Sequence, residues 1–491
     1  MKKIILLLLV IMIMLPVFIF SAKVVVRVPQ DPDFLDPHKA AASGTEEMMF
    51  NVFEGLLKAD SNGNVVPAVA ERYSVSPDGL VYTFKLRKGI KFHNGALVTV
   101  DDIIYSLDRL RGVNNEKPLS STFSSFIKDV KATDKETVVV SMKELNTSFI
   151  TNFTVAIIPK NNTDPNKNPI GTGPFKFKEY LPGQRVVIQK FNDYWKKGVP
   201  MIDEVEFRII TDDQAALLAL LSGEIDMSPR IDVLQLDLLS DNFQVIKSEQ
   251  NMVQLLALNH QNKYFSDVRV RQAINYAVDK DEIINAVALG YGTKLGSNMS
   301  PVMKKYYREG LEDYYQTNVT KAKELLRQAG YPNGFRTTIT VPSNYKFHVD
   351  TAQVIVEQLK KIGIIAEIEQ VEWGVWLERV YANRKYESTI IGLTGKLSAY
   401  DILKRYVSDF SRNFYNYSNP MYDEIIRKAV KETDDAKATE LYKQAQDILT
   451  KDAVAVYIMD PNFINAMKKE IGGYTVYPLY IQDMSVIYIA K

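Results

Sequence analysis

The sequence predicts an α/β fold with several short sheets, on two observations. Segments of strand period and helix period alternate along almost its whole length, and the composition is that of a globular chain able to bury large cores. Of 491 residues, 46% are hydrophobic and 24% charged, which excludes a disordered or fibrous protein. At roughly 150 residues per domain the length suggests about three units. Lys and Arg number 60 against 59 Asp and Glu, so the balance shows no footprint of a nucleic-acid binder. Cysteine is absent, which removes disulfides, thiolate catalysis and Cys-ligated metal clusters together. With four histidines (His38, His93, His260 and His348), a multi-histidine metal site would use most of the supply. The expectation is no cofactor and no metal.

The elements follow in order. Met1-Lys2-Lys3 is a basic start, residues 4–20 are an uninterrupted apolar run, and Ser21-Ala22 ends it. This is the order of a secretory signal peptide, residues 1–22, cleaved after Ala22. Phe20 stands where a small residue is expected, and 17 apolar residues just reach the lower limit of a span, so a retained anchor is the alternative. Pro16 and the short run favour removal. No Cys follows the run, so a lipoprotein is not expected. Loss of two lysines takes the formal charge from +1 to −1.

Residues 81–87 put Tyr82, Phe84 and Leu86 on one face, a half-buried strand after an Asp78-Gly79 turn. Residues 271–287 carry the apolar pairs Ala273/Ile274 and Ala277/Val278, a helical stripe. Thr320 is placed to cap a helix bearing Ala322, Leu325, Leu326 and Ala329, ended by Gly330 and Pro332. Another helix starts near Asp350, with Ile355, Val356, Leu359 and Ile362 inward, and stops at Gly363; residues 364–371 then read as a strand. A late helix aligns Ala438, Leu441, Tyr442, Ala445, Ile448 and Leu449. These stripes are core packing. Strand-like residues 253–258 give way to a polar stretch at 259–266, and strand-like residues 454–459 end near Asp460-Pro461-Asn462. Two crossings between the same lobes would make the second lobe an insertion.

Catalytic motifs are missing: no Gly-x-Ser-x-Gly elbow, no His-Glu-x-x-His and no phosphate-binding Gly-x-x-x-x-Gly-Lys-Ser/Thr loop. Gly171-Thr172-Gly173 starts like a dinucleotide loop, but Phe175 and Lys176 follow where a third Gly should fall. Residues 60–64 lack the Gly and Glu of a calcium loop and read as a hairpin turn. Asp101-Asp102 and Asp212-Asp213 read as helix caps. A distant carboxylate pair acting as a secreted glycosidase stays open, as does an envelope chaperone.

Several stretches form one ordered series. The most specific runs from Pro67-Ala68-Val69-Ala70-Glu71-Arg72-Tyr73 through Ser76-Pro77-Asp78-Gly79 to Ile90-Lys91-Phe92-His93-Asn94-Gly95. Asn51-Val52-Phe53-Glu54-Gly55-Leu56, Pro169-Ile170-Gly171-Thr172-Gly173-Pro174-Phe175 and Asn192-Asp193-Tyr194-Trp195 belong with it. Gly223-Glu224-Ile225-Asp226, Val268-Arg269-Val270-Arg271-Gln272-Ala273-Ile274 and Asn416-Tyr417-Ser418-Asn419-Pro420 complete the series, which spans about residues 28–480. Together these motifs resemble the extracytoplasmic solute-binding proteins of peptide, nickel and oligosaccharide ABC importers (family 5, similar to dipeptide- and oligopeptide-binding proteins). These motifs are mostly scaffold, and His38 and His93 read as structural. The resemblance implies a two-lobed periplasmic binding protein with two hinge crossings. Lobe I would comprise residues 23–259 and 463–491, with an extra subdomain at about 46–165, and lobe II residues 260–462. Ligand would bind between lobes that close as a hinge.

The resemblance also implies a cleft. Ser43-Gly44-Thr45-Glu46 resembles the first-lobe lining loop, and Glu372-Trp373-Gly374 the second-lobe motif whose Trp flanks ligand. Trp373 and Trp376, three apart, would form a flat apolar wall. The third segment contributes Thr394, Gly395, Lys396, Leu397, Ser398, Tyr400 and Asp401, and Asn251 and Tyr345 complete the candidate set. In the dipeptide branch this third loop has a Trp after its first Gly and an Asp that receives the ligand's amino group. Here Leu393 and Ala399 stand in those places. The nickel branch carries Ala-Pro-Tyr-Asp-Pro, matched by Ser398-Ala399-Tyr400-Asp401-Ile402 without either Pro. No His follows His348. The function expected is therefore a periplasmic, monomeric, non-enzymatic solute-binding component that delivers a small ligand to a membrane permease. A short peptide leads, with an oligosaccharide or nickel chelate as alternatives. With Ala399 at the Asp position, free dipeptides are expected to bind poorly unless Asp401 or Glu46 takes the amine; Lys396 would suit a ligand carboxylate.

Overall fold

The computed structural model describes residues 22–40, 42–113 and 116–490, so the expected signal peptide, apart from Ala22, lies outside the described residues. The chain begins with β1 (Lys23–Val28) and the helix Ser43–Met49, then the hairpin β2 (Leu57–Ala59) and β3 (Val65–Pro67). Residues 60–64 form the expected turn, in which the Asp60 carboxylate accepts the N–H groups of Asn62 and Asn64. A separate antiparallel sheet follows: β4 (Ala70–Val75), β5 (Val81–Leu86), β6 (Ile127–Asp134) and β7 (Thr137–Met142), in the order β4-β5-β7-β6. In β5, Tyr82, Phe84 and Leu86 point inward, where they meet Ile103 and Leu107 of the helix Val100–Arg111. That helix is capped by Thr99, with Asp102 as the reciprocal partner of a capping box.

β8 (Phe175–Leu181), β9 (Arg185–Lys190), β10 (Glu204–Ile209), β11 (Met227–Pro229) and β12 (Phe243–Glu249) build, with β1, one half of a 12-stranded sheet. β13 (Met252–Leu258), β14 (Gly292–Lys294), β15 (Arg336–Pro342), β16 (Ile365–Val371) and β17 (Ser388–Thr394) build the other. The 14-residue β18 (Ala455–Lys468) runs through both: Val456 pairs with Leu256 of β13, and Asn465 with Ile246 of β12. We refer to the two halves, with their cores, as lobe I and lobe II. The chain passes between the two halves at residues 250–251, where β12 meets β13, and within β18 between Pro461 and Asn462. The strand expected to end at residue 459 continues because Ile464, Ala466 and Met467 bury into lobe I. Pro461 is tolerated where β18 meets the short β14.

One buried carboxylate ties the two crossings together. Asp460, 0% exposed, accepts the Gln250 and Met252 N–H groups on either side of Asn251, which sits at φ 56°, and the Ser300 hydroxyl at 2.6 Å. Burial pushes its pKa up to about 7, with Glu249 adding to the rise.

Three helix boundaries differ from the sequence reading. The stripe at 271–287 is two helices, Val268–Ala277 and Lys280–Ala288, because Asp279 caps the second by accepting the Glu282 N–H. Asn318, not Thr320, caps the helix Val319–Gln328. The helix expected near Asp350 begins at Lys346. Gly171 and Gly173 pack on residues 51–52, where a Cβ at Gly171 would lie 2.1 Å from the Val52 carbonyl. Close backbone approach explains these glycines. His38 bonds the Ala156 carbonyl, and His93 bonds the Gly173 carbonyl while accepting the Gly171 N–H; burial lowers both pKa values to about 4. Both are structural, as read from the sequence.

Candidate functional site: the cleft between the lobes

The lobe I wall is built on the helix Ser43–Met49. Ala42 offers no side-chain cap. Instead the Asp33 carboxylate accepts the Ala42 N–H and the Thr45 hydroxyl, and Thr45 Oγ1 accepts the Asp33 N–H. Thr45 is thereby buried, 1% exposed, and holds the helix start. Ser43 and Gly44 stay partly accessible, and Glu46 projects outward. Glu46 keeps its solvent access yet is flanked by protein walls. Desolvation raises its pKa, Lys396 on the opposite lobe pulls it down, and Asp33 raises it further. One position along and about 100° around the helix, Glu47 turns inward to Arg230.

Aromatic stacking builds the lobe II wall. Trp373, at the start of a short helical turn after β16, stacks on Trp376 with ring centres 5.2 Å apart and planes at 5°. Tyr345, just before the helix Lys346–Lys360, meets Trp373 edge-on at 5.3 Å and is 41% exposed. Trp376 is a correction to the expected pair: it is 2% exposed and its indole N–H donates to Thr389 Oγ1, so it is core and acts as backing for Trp373. His348, buried and shifted to about 4, accepts the Gly392 N–H and holds β17 against the Lys346–Lys360 helix.

The 394–401 loop closes this wall. The Thr394 carbonyl accepts from Arg405, and the Gly395 N–H donates to the Asn251 carbonyl. A Cβ at Gly395 would lie 2.1 Å from Asn251 Cγ, so the loop passes the crossing with no room for a side chain. Asn251 itself is buried and donates to the Pro478 carbonyl, a hinge role. Lys396 is exposed and faces Glu46, and Leu397 is partly buried. Ser398 is buried and caps the helix Ala399–Leu403. Ala399 is 1% exposed and packs in the core. Asp401 is held by Lys404 at 2.5 Å, and Tyr400 packs beside the same lysine. The far rim is shut as well: Thr147 of lobe I donates through its N–H and hydroxyl to the Val430 carbonyl of lobe II.

Of the candidates, Ser43, Gly44, Glu46, Tyr345, Trp373, Thr394, Gly395, Lys396 and Leu397 keep accessible surface, and Glu46 and Lys396 face each other across the lobes. Thr45, Asn251, Trp376 and Ser398 are buried, and Tyr400 and Asp401 half-buried beside Lys404. Sequence reading missed Asp33, Glu47, Arg230, Tyr480 and Asp460. A run of aromatics at Tyr474, Tyr477 and Tyr480 was a usable signal for the C-terminal tail; nothing local marks Arg230. Among the described residues no group of three or more His, Asp or Glu is placed to hold a metal, and no helix is long and apolar enough to cross a membrane.

Two α/β halves joined by β18 and by the β12–β13 junction have the architecture of a two-lobed binding protein. Residues 64–414 match the model of the bacterial extracellular solute-binding proteins, family 5, and the chain belongs to that family. It is a solute-binding component of an ABC importer. A protein of Pectobacterium atrosepticum named glutathione-binding protein GsiB is 29% identical over 469 residues, 90% of each chain. The periplasmic binding protein DppA of Helicobacter pylori, solved with the peptide STSA, superposes at TM-score 0.81 with 28% identity, over 96% of this chain and 99% of that one. The oligopeptide-binding protein AppA of Bacillus subtilis, solved with a nonapeptide, has TM-score 0.81, 25% identity and coverages of 96% and 99%.

Proposed function

We propose that this protein captures a short peptide, longer than a dipeptide, between its closing lobes and hands it to a membrane permease without chemical change. The observation that carries this is the distribution of carboxylates. Ala399 stands in the core at the place where the dipeptide branch has an amine-binding Asp, and Asp401 is neutralised by Lys404. Glu46 is an accessible carboxylate opposite Lys396, open to a ligand ammonium. A buried ammonium without a partner costs several kcal/mol, so a free dipeptide anchored at residue 399 is disfavoured. The peptides held by the Helicobacter and Bacillus proteins and the glutathione named for the Pectobacterium relative support a peptide class. The lining set is Ser43, Gly44, Glu46, Tyr345, Trp373 and residues 394–397, in a monomer exported to the periplasm with lobes exchanging at 250–251 and 461–462.

A neutral oligosaccharide is the second reading, favoured by the flat faces of Trp373 and Tyr345. Mass spectrometry of the ligand carried through purification distinguishes the two. Stripped and added back at about 100 times its Kd, the right ligand stabilises the protein by ~2.7 kcal/mol and raises its Tm. A recovered molecule that is a sugar, or a recovered peptide that gives no thermal shift, overturns the peptide reading.

A further inference from the structure

Arg230 follows β11 with φ 58°, a left-handed conformation that long side chains seldom adopt. Its guanidinium is fixed from several sides. Nη2 donates to Glu47 Oε1 at 2.6 Å, and the guanidinium carbon lies 3.8 Å from the centre of the Tyr480 ring and 5.0 Å from that of Phe463. Yet the pair is under-bonded. An arginine fork ordinarily grips a carboxylate through two parallel bonds. Here one bond forms, while Nε of Arg230 and Oε2 of Glu47 are buried without hydrogen-bond partners. The Glu47 side chain is 1% exposed and that of Arg230 19%, so the arginine keeps the solvent-facing side.

Position places this group at the cleft. Glu47 is the neighbour of Glu46. Tyr480, whose ring covers the guanidinium, lies within electrostatic range of Tyr345 of lobe II, and Tyr345 carries the edge-on contact to Trp373. The guanidinium therefore stands where the lobe I floor meets the aromatic wall of lobe II. Its plane is set by Tyr480 and its position by Glu47 before any ligand arrives. A held fork in surroundings of low dielectric is a receptor for a planar anion. Glu47 takes one side of the fork and leaves the Nε donor without a partner.

We propose that Arg230 receives a carboxylate of the bound peptide, with Glu47 and Tyr480 as positioning residues. The proposal rests on the peptide reading above and adds to it an anionic specificity seated in lobe I.

Calorimetric titration with an Asp- and Glu-free tetrapeptide library, as free acids and as C-terminal amides, tests it, together with an amidated library containing Glu. Wild type is expected to prefer carboxylate-bearing peptides by about 30-fold or more, the loss typical of removing one side of a buried charged pair. Arg230→Gln is expected to bring them down to the level of the neutral amides, and the Glu-containing amides show whether a side chain can supply the carboxylate. Equal wild-type affinity for acids and neutral amides, with the Glu amides no tighter, overturns the proposal without needing any variant. A variant that weakens acids and amides alike also overturns it, leaving the peptide reading intact. Wild type that binds no peptide of any set overturns both. Glu47→Gln, which leaves the guanidinium in place, is expected to retain the preference for acids; its loss there would overturn the assignment to Arg230.

Discussion

The two walls of the cleft are made from opposite materials. Lobe I carries an outward-facing Glu46 beside the inward Glu47–Arg230 pair, whose single Nη2–Oε1 bond leaves buried polar atoms unpaired. Lobe II presents Tyr345 and Trp373, held by stacking onto a core Trp376. Stacking is tolerant of what it meets, whereas a hydrogen-bond array rejects a ligand that leaves it unpaired. On the proposed reading, that difference seats affinity in the aromatic wall of lobe II and selectivity in the polar floor of lobe I.

The largest way to break this contrast is Trp376→Ala. A fully buried indole with a bond to Thr389 should cost about 3–5 kcal/mol of stability, read by chemical denaturation. A stable variant with weakened ligand binding would instead return Trp376 to the cleft surface.

The join between the walls comes next. Asp460 holds its proton up to about pH 7 in the folded state, whereas an unfolded Asp releases it near pH 4. The folded state binds more protons in that window, so stability falls as pH rises from about 4 to 7, by roughly 3–4 kcal/mol. Asp460→Asn mimics the protonated form: its carbonyl serves the two N–H groups and its amide the Ser300 hydroxyl. Denaturation midpoints measured across that range should slope downward for wild type and lie flat for the variant. Parallel slopes would show that Asp460 is ionised throughout.

Trp373→Ala should weaken ligand by about 1–2 kcal/mol in calorimetry while the melting temperature of the unliganded protein changes little. Loss of stability with affinity intact would make Trp373 a core residue like its neighbour. The smallest effect belongs to Glu46. Its pKa is raised, so its charge is lost at a higher pH than for an ordinary glutamate. Affinity for peptides with a free amine should drop about two- to fivefold as pH falls through that range, and Glu46→Gln should abolish the dependence. N-acetylated peptides showing the same pH profile would dissociate Glu46 from the ammonium.

Most of the scaffold was legible because it depends on periodicity and turn chemistry. Tyr82, Phe84 and Leu86 alternate because a pleated strand has period two, and Asp60 turns the β2–β3 hairpin through its own carboxylate. Helix starts were less legible, since Asp279, Asn318 and Thr320 are all competent caps and neighbouring contacts choose among them. In the site, Glu46, Trp373 and Lys396 lie in segments whose motifs or loop position marked them. Ala399 was marked by its place in the same loop, and its burial was not visible.

By itself the sequence determined the alternating elements, the lack of thiol chemistry and the string of family motifs, all of which depend on residue identity at short range. Tertiary structure decided which of two adjacent glutamates faces outward, that Trp376 lies behind Trp373, and that Asp460 spans the crossings. It also brought Arg230 to Glu47, 183 residues away along the chain. These outcomes depend on where strands far apart in sequence come together, and on which polar groups that assembly cuts off from water. No local pattern encodes either.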